Sequence, residues 1–128
     1  MKLLLDTHAF LWLVDEPNKL SRKALKACRT RANGLYLSVV SAWEIQIKRH
    51  LGKLKLQSSL ETVIREQQEE NNLQILPIEL EHVLALSNLP PYHADPFDRL
   101  LIAQSLIEKA YLVSSDRAFS KYQVNLWW

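Results

Sequence analysis

Five acidic residues stand where an apolar run ends or where a helix is predicted to begin, positions that often carry functional carboxylates in α/β proteins. The five are Asp6, Glu44, Asp95, Asp98 and Asp116. Carboxylates that converge raise one another's pKa or recruit a cation, because like charges repel at short range. The usual cation for an all-oxygen ligand set is Mg²⁺, with Mn²⁺ as the alternative, and such an ion can activate water. The pattern therefore predicts metal-dependent phosphodiester hydrolysis if the fold brings the five residues together.

Short apolar runs separated by helical periods predict the elements that position these acids. The runs are bounded by turn or cap residues and do not alternate with polar residues, so they indicate buried parallel strands. Strands are predicted over 2–5, 35–40, 73–76, 111–113 and 124–127, and helices over 22–32, 42–51, 60–71, 79–87 and from residue 96 onward. This alternation predicts an α/β fold with a mainly parallel sheet of about five strands and helices on both faces, a three-layer α/β/α arrangement.

The predicted sheet places three of the acids at one edge. In a parallel sheet the carboxyl ends of the strands and the starts of the following helices share an edge, where open α/β sheets bind ligands. Asp6 ends the first strand, Glu44 opens the helix after the second, and Asp116 follows the fourth. Asp95 and Asp98 suit a helix start, with an acid at the N-cap and proline at the first helical position. That helix must cross the sheet for its start to reach the same edge.

Length and composition favour one domain over residues 1–128. The 128 residues are 48% hydrophobic and 23% charged, which argues against disordered, collagen-like and coiled-coil chains. The single cysteine, Cys28, excludes an internal disulfide and is typical of a reducing compartment. Asp6 and His8 interrupt the apolar start of the chain, which argues against a signal peptide, and no run reaches the length of a membrane span. We therefore expect a cytoplasmic protein with no membrane contact.

Four segments together resemble a known family. They are LLLDTHAFLW, SAWEIQIK, HADPFDRLLIAQ and VSSDRAF. In this order and spacing they resemble the PIN-domain ribonucleases, and most closely the VapC-type toxins of bacterial toxin–antitoxin pairs. The resemblance extends over nearly the whole chain. Each segment alone is weakly specific, whereas the four in order are specific.

The resemblance implies a PIN fold, a Mg²⁺-dependent endoribonuclease that cleaves RNA, frequent homodimers and inhibition by a small antitoxin protein. The family's site acids fall on Asp6, Glu44, Asp98 and Asp116. Asp95 matches the additional acid of the subgroup with the DPFDR form. Thr7 matches a hydroxyl residue that bonds near the first aspartate, and Ser114 matches the Thr or Ser two residues before the last acid. Asp6, Asp98 and Asp116, with Asp95 or Glu44, would hold one or two Mg²⁺ ions, and cleavage would leave 5′-phosphate and 3′-hydroxyl ends.

Basic and acidic residues are unevenly distributed. Residues 19–55 contain ten Lys or Arg against one acid, whereas residues 61–98 contain eight acids against one Arg. The basic set comprises Arg22, Lys23, Lys26 and Arg29 on one predicted helix and Lys48, Arg49, Lys53 and Lys55 after the next. These residues form either a solvated face or a surface that contacts RNA phosphates or an acidic antitoxin segment. Arg99 and Arg117 each adjoin a site acid, and either contact the scissile phosphate or neutralise excess carboxylate.

The candidate acids also have purely structural interpretations. Glu44 has the strongest one, because Ser41 and Glu44 have the spacing of a capping box. Asp95 and Asp98 are favoured at a helix start by the helix dipole alone, and Asp116 can cap a short helix that begins at the next residue. A second hypothesis is therefore a non-catalytic regulatory module with the same fold that binds a metal or a partner.

Two histidines and two tryptophans complete the candidates. His8 and His93 each lie close to a site acid, but a zinc site needs three or four His or Cys ligands and this chain offers no such cluster. Both histidines are therefore expected to pack or to line the mouth of the site. Trp12 and Trp43 lie in apolar helical settings and are predicted to belong to the core or to a dimer interface.

Overall fold

A computed structural model describes the whole chain, residues 1–128, and contains one five-stranded sheet. The strands are β1 (Lys2–Leu5), β2 (Gly34–Ser38), β3 (Gln74–Leu76), β4 (Tyr111–Val113) and β5 (Asn125–Trp127). They are hydrogen-bonded in the order β3-β2-β1-β4-β5, and every neighbouring pair is parallel. The prediction of a parallel α/β sheet of about five strands is confirmed.

Six α-helices connect these strands. They are α1 (Thr7–Asp15), α2 (Arg22–Arg29), α3 (Val39–His50), α4 (Leu60–Asn71), α5 (Leu80–Ala85) and α6 (Pro96–Ile107). Three 3₁₀ turns lie at Pro17–Lys19, Leu86–Asn88 and Arg117–Lys121. The sequence-based prediction gives no bounds for helix α1, because its apolar run continues that of β1 and masks the change of period. No helix combines the length and apolarity needed to cross a membrane.

The hydrophobic core lies on both faces of the sheet, as a three-layer arrangement requires. Successive residues of a strand point to opposite faces, so β1 contributes to two clusters. Leu3 and Leu5 pack in the cluster that contains Phe10 of α1, whereas Leu4 packs in the cluster that contains Leu101 of α6. Both faces of the central strand are therefore covered, which explains its unbroken apolar sequence.

The boundary between β2 and α3 differs from the prediction. The strand ends at Ser38 and the helix begins at Val39, so the predicted strand over 35–40 and helix start at 42 are wrong. The Ser38 hydroxyl accepts a hydrogen bond from the backbone N–H of Val40 at 3.1 Å and caps the helix. Ser41 therefore lies within α3, where its hydroxyl is buried without a hydrogen-bond partner. The capping box between Ser41 and Glu44 does not form.

A buried polar network ties α6 to the rest of the fold. The Ser38 hydroxyl donates to Gln104 Oε1, and Gln104 Nε2 donates to the carbonyl of Pro77 at 3.2 Å. His82 is fully buried, and its Nε2 lies 3.0 Å from Glu108 Oε2 at the end of α6. These contacts fix the position of α6, whose first turn carries Asp95 and Asp98.

The packing of α6 predicts a large effect of truncating its core side. Leu101→Ala is expected to lower the free energy of unfolding by about 2–5 kcal/mol, because Leu101 is fully buried and the substitution leaves a cavity. The same substitution at Leu51, which is 59% exposed, is expected to change it by less than about 0.5 kcal/mol. Urea denaturation of the three proteins measures both values. Equal losses at the two positions would contradict this description of the core.

Candidate active site

All five acids predicted from the sequence line one small pocket at the carboxyl edge of the sheet. The pocket has a volume of about 100 Å³. Its lining consists of Asp6, Thr7, His8, Glu44, Lys48, Asp95, Asp98, Asp116 and Phe119. Helix α6 crosses the sheet so that its first turn meets the end of β1, which is how Asp95 and Asp98 reach this edge. The roles of these acids as metal ligands or catalytic residues remain predictions, although the fold brings them together.

Asp6 lies at the junction of β1 and α1 and is 7% exposed. Its backbone N–H donates to the carbonyl of Val113 in β4, and its Oδ1 accepts a hydrogen bond from the N–H of Ala9 at 2.7 Å, which caps α1. Burial raises the pKa of this carboxyl, and a hydrogen bond from Ser114 partly opposes the rise. Asp6 is therefore a structural cap whose negative charge is costly to keep in the pocket.

Glu44 is almost fully buried, and both of its carboxylate oxygens are engaged. Thr7 Oγ1 donates to Glu44 Oε1 at 2.6 Å, and Lys48 Nζ donates to Oε2 at 2.6 Å. The hydrogen bond to Glu44 raises the pKa of Lys48, which keeps the ammonium charged. The sequence predicts Lys48 as part of a basic surface, whereas the structure places it in the lining of the pocket. The four-residue spacing from Glu44 on α3 is the signal that could have identified the pair.

The first turn of α6 holds two carboxylates close together. Asp95 Oδ1 accepts the N–H groups of Phe97 at 2.8 Å and Asp98 at 3.2 Å, which confirms the predicted helix start. His93 Nε2 lies 2.8 Å from Asp98 Oδ2. Burial, followed by the charge of Asp95, raises the pKa of Asp98 to about 6, although His93 partly opposes the rise. The repulsion that the sequence predicted therefore acts within this turn.

Asp116 lies opposite α6, at the start of the last 3₁₀ turn. Its Oδ1 accepts the N–H of Ala118 at 2.9 Å, which caps that turn as the structural interpretation expected, and Ser114 Oγ accepts the N–H of Asp116 at 3.0 Å. Potential ligand atoms of His93, Asp98 and Asp116 lie within 4.8 Å of one another. Asp98 on α6 and Asp116 before the last 3₁₀ turn therefore approach to within the span of one cation.

Two arginines expected near the site do not border the pocket. The guanidinium of Arg99 donates to backbone carbonyls of the segment before α6, including that of Pro90 at 2.9 Å. These contacts direct the Arg99 guanidinium towards the chain, and its contact with a scissile phosphate stays a prediction. Arg117 is exposed. Lys48 is the cationic side chain that lines the pocket beside the acids.

The donors in the pocket fit a hard divalent cation. They are carboxylate oxygens, which Mg²⁺ and Mn²⁺ prefer. Five carboxylates and one ammonium leave the lining with an excess of negative charge. In Asp95 and Asp116 the hydrogen bonds from the backbone go to Oδ1, so Oδ2 remains available to a ligand. Burial raises the pKa values of Asp6 and Asp98, and the charge of Asp95 raises that of Asp98 further, so the charged forms are costly in this pocket.

Comparisons with known proteins identify a family model and several similar folds. Residues 3–125 match the model of the PIN domain. VapBC2 from Rickettsia felis, bound to a DNA fragment from its promoter, is similar at TM-score 0.75 and 16% identity over 99% of both chains. DNA-bound VapBC from Salmonella typhimurium has TM-score 0.67 and 12% identity over 98% of this chain and 96% of that one. A toxin-antitoxin complex from Klebsiella pneumoniae has TM-score 0.55 and 15% identity over 90% and 87%. No curated protein sequence matches the chain.

A cation that binds the pocket should stabilise the folded protein. At a Mg²⁺ concentration of 100 times its Kd, we expect a gain of about 2.7 kcal/mol, seen as a rise in Tm of several degrees. Asp98→Asn should raise the Tm of the metal-free protein, because it removes a charge that Asp95 repels, and should reduce the rise caused by Mg²⁺. Asp15→Asn, at the exposed far end of α1, should leave that rise unchanged. An equal Mg²⁺ effect in the wild type and in Asp98→Asn would contradict this assignment.

Proposed function

The chain belongs to the PIN domain family, and on that premise we propose that it is a Mg²⁺-dependent endoribonuclease, the toxin component of a toxin–antitoxin pair. The observation that carries the proposal is the convergence of five carboxylates in one pocket at the carboxyl edge of the sheet. Four of them, Asp6, Glu44, Asp98 and Asp116, fall on the positions that the family resemblance marks. We also propose that residues 1–128 form a single domain of this family.

The proposed mechanism gives the acids two tasks. Asp6, Asp98 and Asp116, together with Asp95, hold Mg²⁺, for which Mn²⁺ can substitute. When bound, the ion lowers the pKa of a water and stabilises the charge of the phosphodiester oxygens, with 5′-phosphate and 3′-hydroxyl ends as products. Glu44 is held by Thr7 and Lys48 and keeps a fixed orientation towards the pocket. Ser114 supports both Asp6 and the backbone of Asp116.

Basic residues outside the pocket provide a surface for the RNA. Helix α2 exposes four cations, Arg22, Lys23, Lys26 and Arg29. The ammonium of Lys23 lies 4.1 Å from the ring centroid of Trp127, beside a groove that Lys26 also lines. Cations combined with an aromatic ring suit the backbone and bases of single-stranded RNA. We propose that α2 contacts RNA phosphates, which would position the strand without selecting its sequence.

The protein partners follow from the similar structures and from exposed apolar residues. One similar structure is a toxin-antitoxin complex, and we propose a small antitoxin protein as the partner of this chain. We also propose a homodimer that covers the outer face of α5, where Leu80, Val83 and Leu84 are 71%, 45% and 62% exposed. Trp43, predicted for the core or an interface, is 56% exposed and contacts Phe97, so it does not belong to the core. A cytoplasmic location is part of this proposal, because the substrate and partner are intracellular.

A non-catalytic module remains the alternative, and one observation favours it. Asp6, Asp95 and Asp116 each cap a helix or turn, and this structural role explains their positions without a catalytic one. Substitution by asparagine separates the two hypotheses, because asparagine caps a helix as well as aspartate does but carries no charge.

RNA cleavage tests the enzymatic proposal. With Mg²⁺ present, the wild type should cleave single-stranded RNA, and Asp6→Asn should lower the rate by about 100-fold or more, since the loss of a cation ligand removes several kcal/mol of transition-state stabilisation. Asp15→Asn is the matched control, because it makes the same change at the other end of α1 and outside the pocket. Equal cleavage by the wild type and Asp6→Asn would mean that the activity belongs to a contaminant.

Growth of a bacterial host tests the toxin role separately. Expression of the wild type alone should stop growth, and co-expression of the neighbouring upstream reading frame should restore it. Asp6→Asn should permit growth at the same level of soluble protein. Unchanged growth on expression of folded wild type would refute the toxin role and leave the cleavage proposal intact.

A further inference from the structure

The segment between the second 3₁₀ turn and α6 is held by one guanidinium. Arg99 Nη1 donates to the carbonyl of Pro90 at 2.9 Å and to that of His93 at 3.5 Å. Its Nη2 donates to the carbonyls of Leu86 and Leu89, both at 3.4 Å. Arg99 thus uses the several donors of its planar fork to bind one carbonyl of the 3₁₀ turn and three carbonyls of the irregular segment that follows it.

Tyr122 holds the same segment from the other side. Its hydroxyl donates to the carbonyl of Pro90 at 2.9 Å, accepts the N–H of His93 at 2.9 Å and accepts from Arg99 Nη1 at 3.3 Å. Tyr122 is 6% exposed, so these hydrogen bonds are shielded from water. The backbone of His93 is therefore fixed at both its N–H and its carbonyl.

The ring of His93 has one defined tautomer when neutral. Its Nδ1 accepts the backbone N–H of Asp95 at 3.3 Å, so this nitrogen carries no proton. The proton is on Nε2, which lies 2.8 Å from Asp98 Oδ2 and donates to it. The hydrogen bond occupies one oxygen of Asp98 and leaves Oδ1 free.

We propose that His93 is a positioning residue for the cation site, which orients Asp98 through Nε2–H, and that Arg99 and Tyr122 act through it by holding its backbone. The proposal rests on the proposed function only in that the pocket binds a divalent cation. It assigns a role to His93, the first residue of the HADPFDR segment, which precedes Asp95 and Asp98. Hydrogen-bonded partners of this kind fix the orientation of a ligating carboxylate and strengthen its binding.

Direct ligation by His93 is the competing arrangement, because its ring lies within ligand distance of Asp98 and Asp116. Ligation through Nε2 would require the proton to move to Nδ1. Nδ1–H would then face the N–H of Asp95, which places two donors against each other, and Asp98 would lose its hydrogen bond. The observed contacts therefore favour the positioning role.

Binding of Mn²⁺ measured by calorimetry tests the role with a matched pair of amides. His93→Gln keeps an N–H donor at the reach of Nε2, whereas His93→Asn is one methylene shorter and cannot reach Asp98. We expect His93→Asn to weaken Mn²⁺ binding by about 10- to 100-fold and His93→Gln to restore most of it. Wild-type affinity in His93→Asn, or equal losses in both variants, would overturn the proposal.

Tyr122→Phe tests whether the distant hydroxyl acts through His93. We expect weaker Mn²⁺ binding in Tyr122→Phe. In the double variant with His93→Asn, the fold-loss of Mn²⁺ affinity should be smaller than the product of the fold-losses in the two single variants. Tyr92→Phe is the control, because Tyr92 lies in the same segment but is 58% exposed, and the substitution keeps its ring contact with Tyr122. Unchanged affinity in Tyr122→Phe, or independent losses, would overturn the role of Tyr122.

Pulsed electron paramagnetic resonance of the Mn²⁺ complex separates positioning from ligation. With ¹⁵N-labelled histidine, we expect no coupling of a directly bound histidine nitrogen to Mn²⁺ in the wild type. A direct coupling that disappears in His93→Gln would overturn the proposal and make His93 a ligand. These readouts do not require cleavage, so a protein that binds Mn²⁺ as expected but leaves RNA intact would refute the proposed function alone.

Discussion

The structure depends on keeping five carboxylates within a pocket of about 100 Å³. Helix starts provide part of the compensation, since Asp6, Asp95 and Asp116 each accept backbone N–H groups at the positive end of a helix or turn. Lys48 provides more by pairing with Glu44. Burial nevertheless raises the pKa values of Asp6 and Asp98, and the adjacent acid raises that of Asp98 further, so these charges remain costly. The divalent cation proposed for this pocket would lower that cost.

The same acids can thus serve as helix caps and as cation ligands. The position of an acid at a helix start does not by itself distinguish the two roles. A cap uses one oxygen and satisfies backbone donors, and it works equally well without charge. A cation site uses the charge and the second oxygen. In this chain the two roles are compatible, because the backbone N–H groups bind Oδ1 of Asp95 and Asp116. The fold can therefore assemble the pocket before any ion binds.

Much of the fold could be predicted from the sequence, because buried parallel strands and capped helices have local signatures. The start of α6 at Asp95 has a local signature and is predicted correctly. The predicted start of α3 is too late, because Ser38 and Ser41 are equally good caps by sequence. The contacts of His93 and Arg99 could not be predicted, since they depend on the path of an irregular segment and on Tyr122, far along the chain. The shared sheet edge predicts that Asp6, Glu44 and Asp116 meet, whereas the pairing of Asp98 with His93 depends on that irregular segment.

Anomalous scattering from a crystal grown with Mn²⁺ tests the central claim most directly, because it locates the ion independently of any activity. The account predicts an ion in the pocket, bound to oxygens of Asp6, Asp98 and Asp116, with Glu44 still paired with Lys48. Two results would contradict it. One is a pocket without an ion at saturating Mn²⁺, and the other is an ion bound elsewhere while these carboxylates point away from one another.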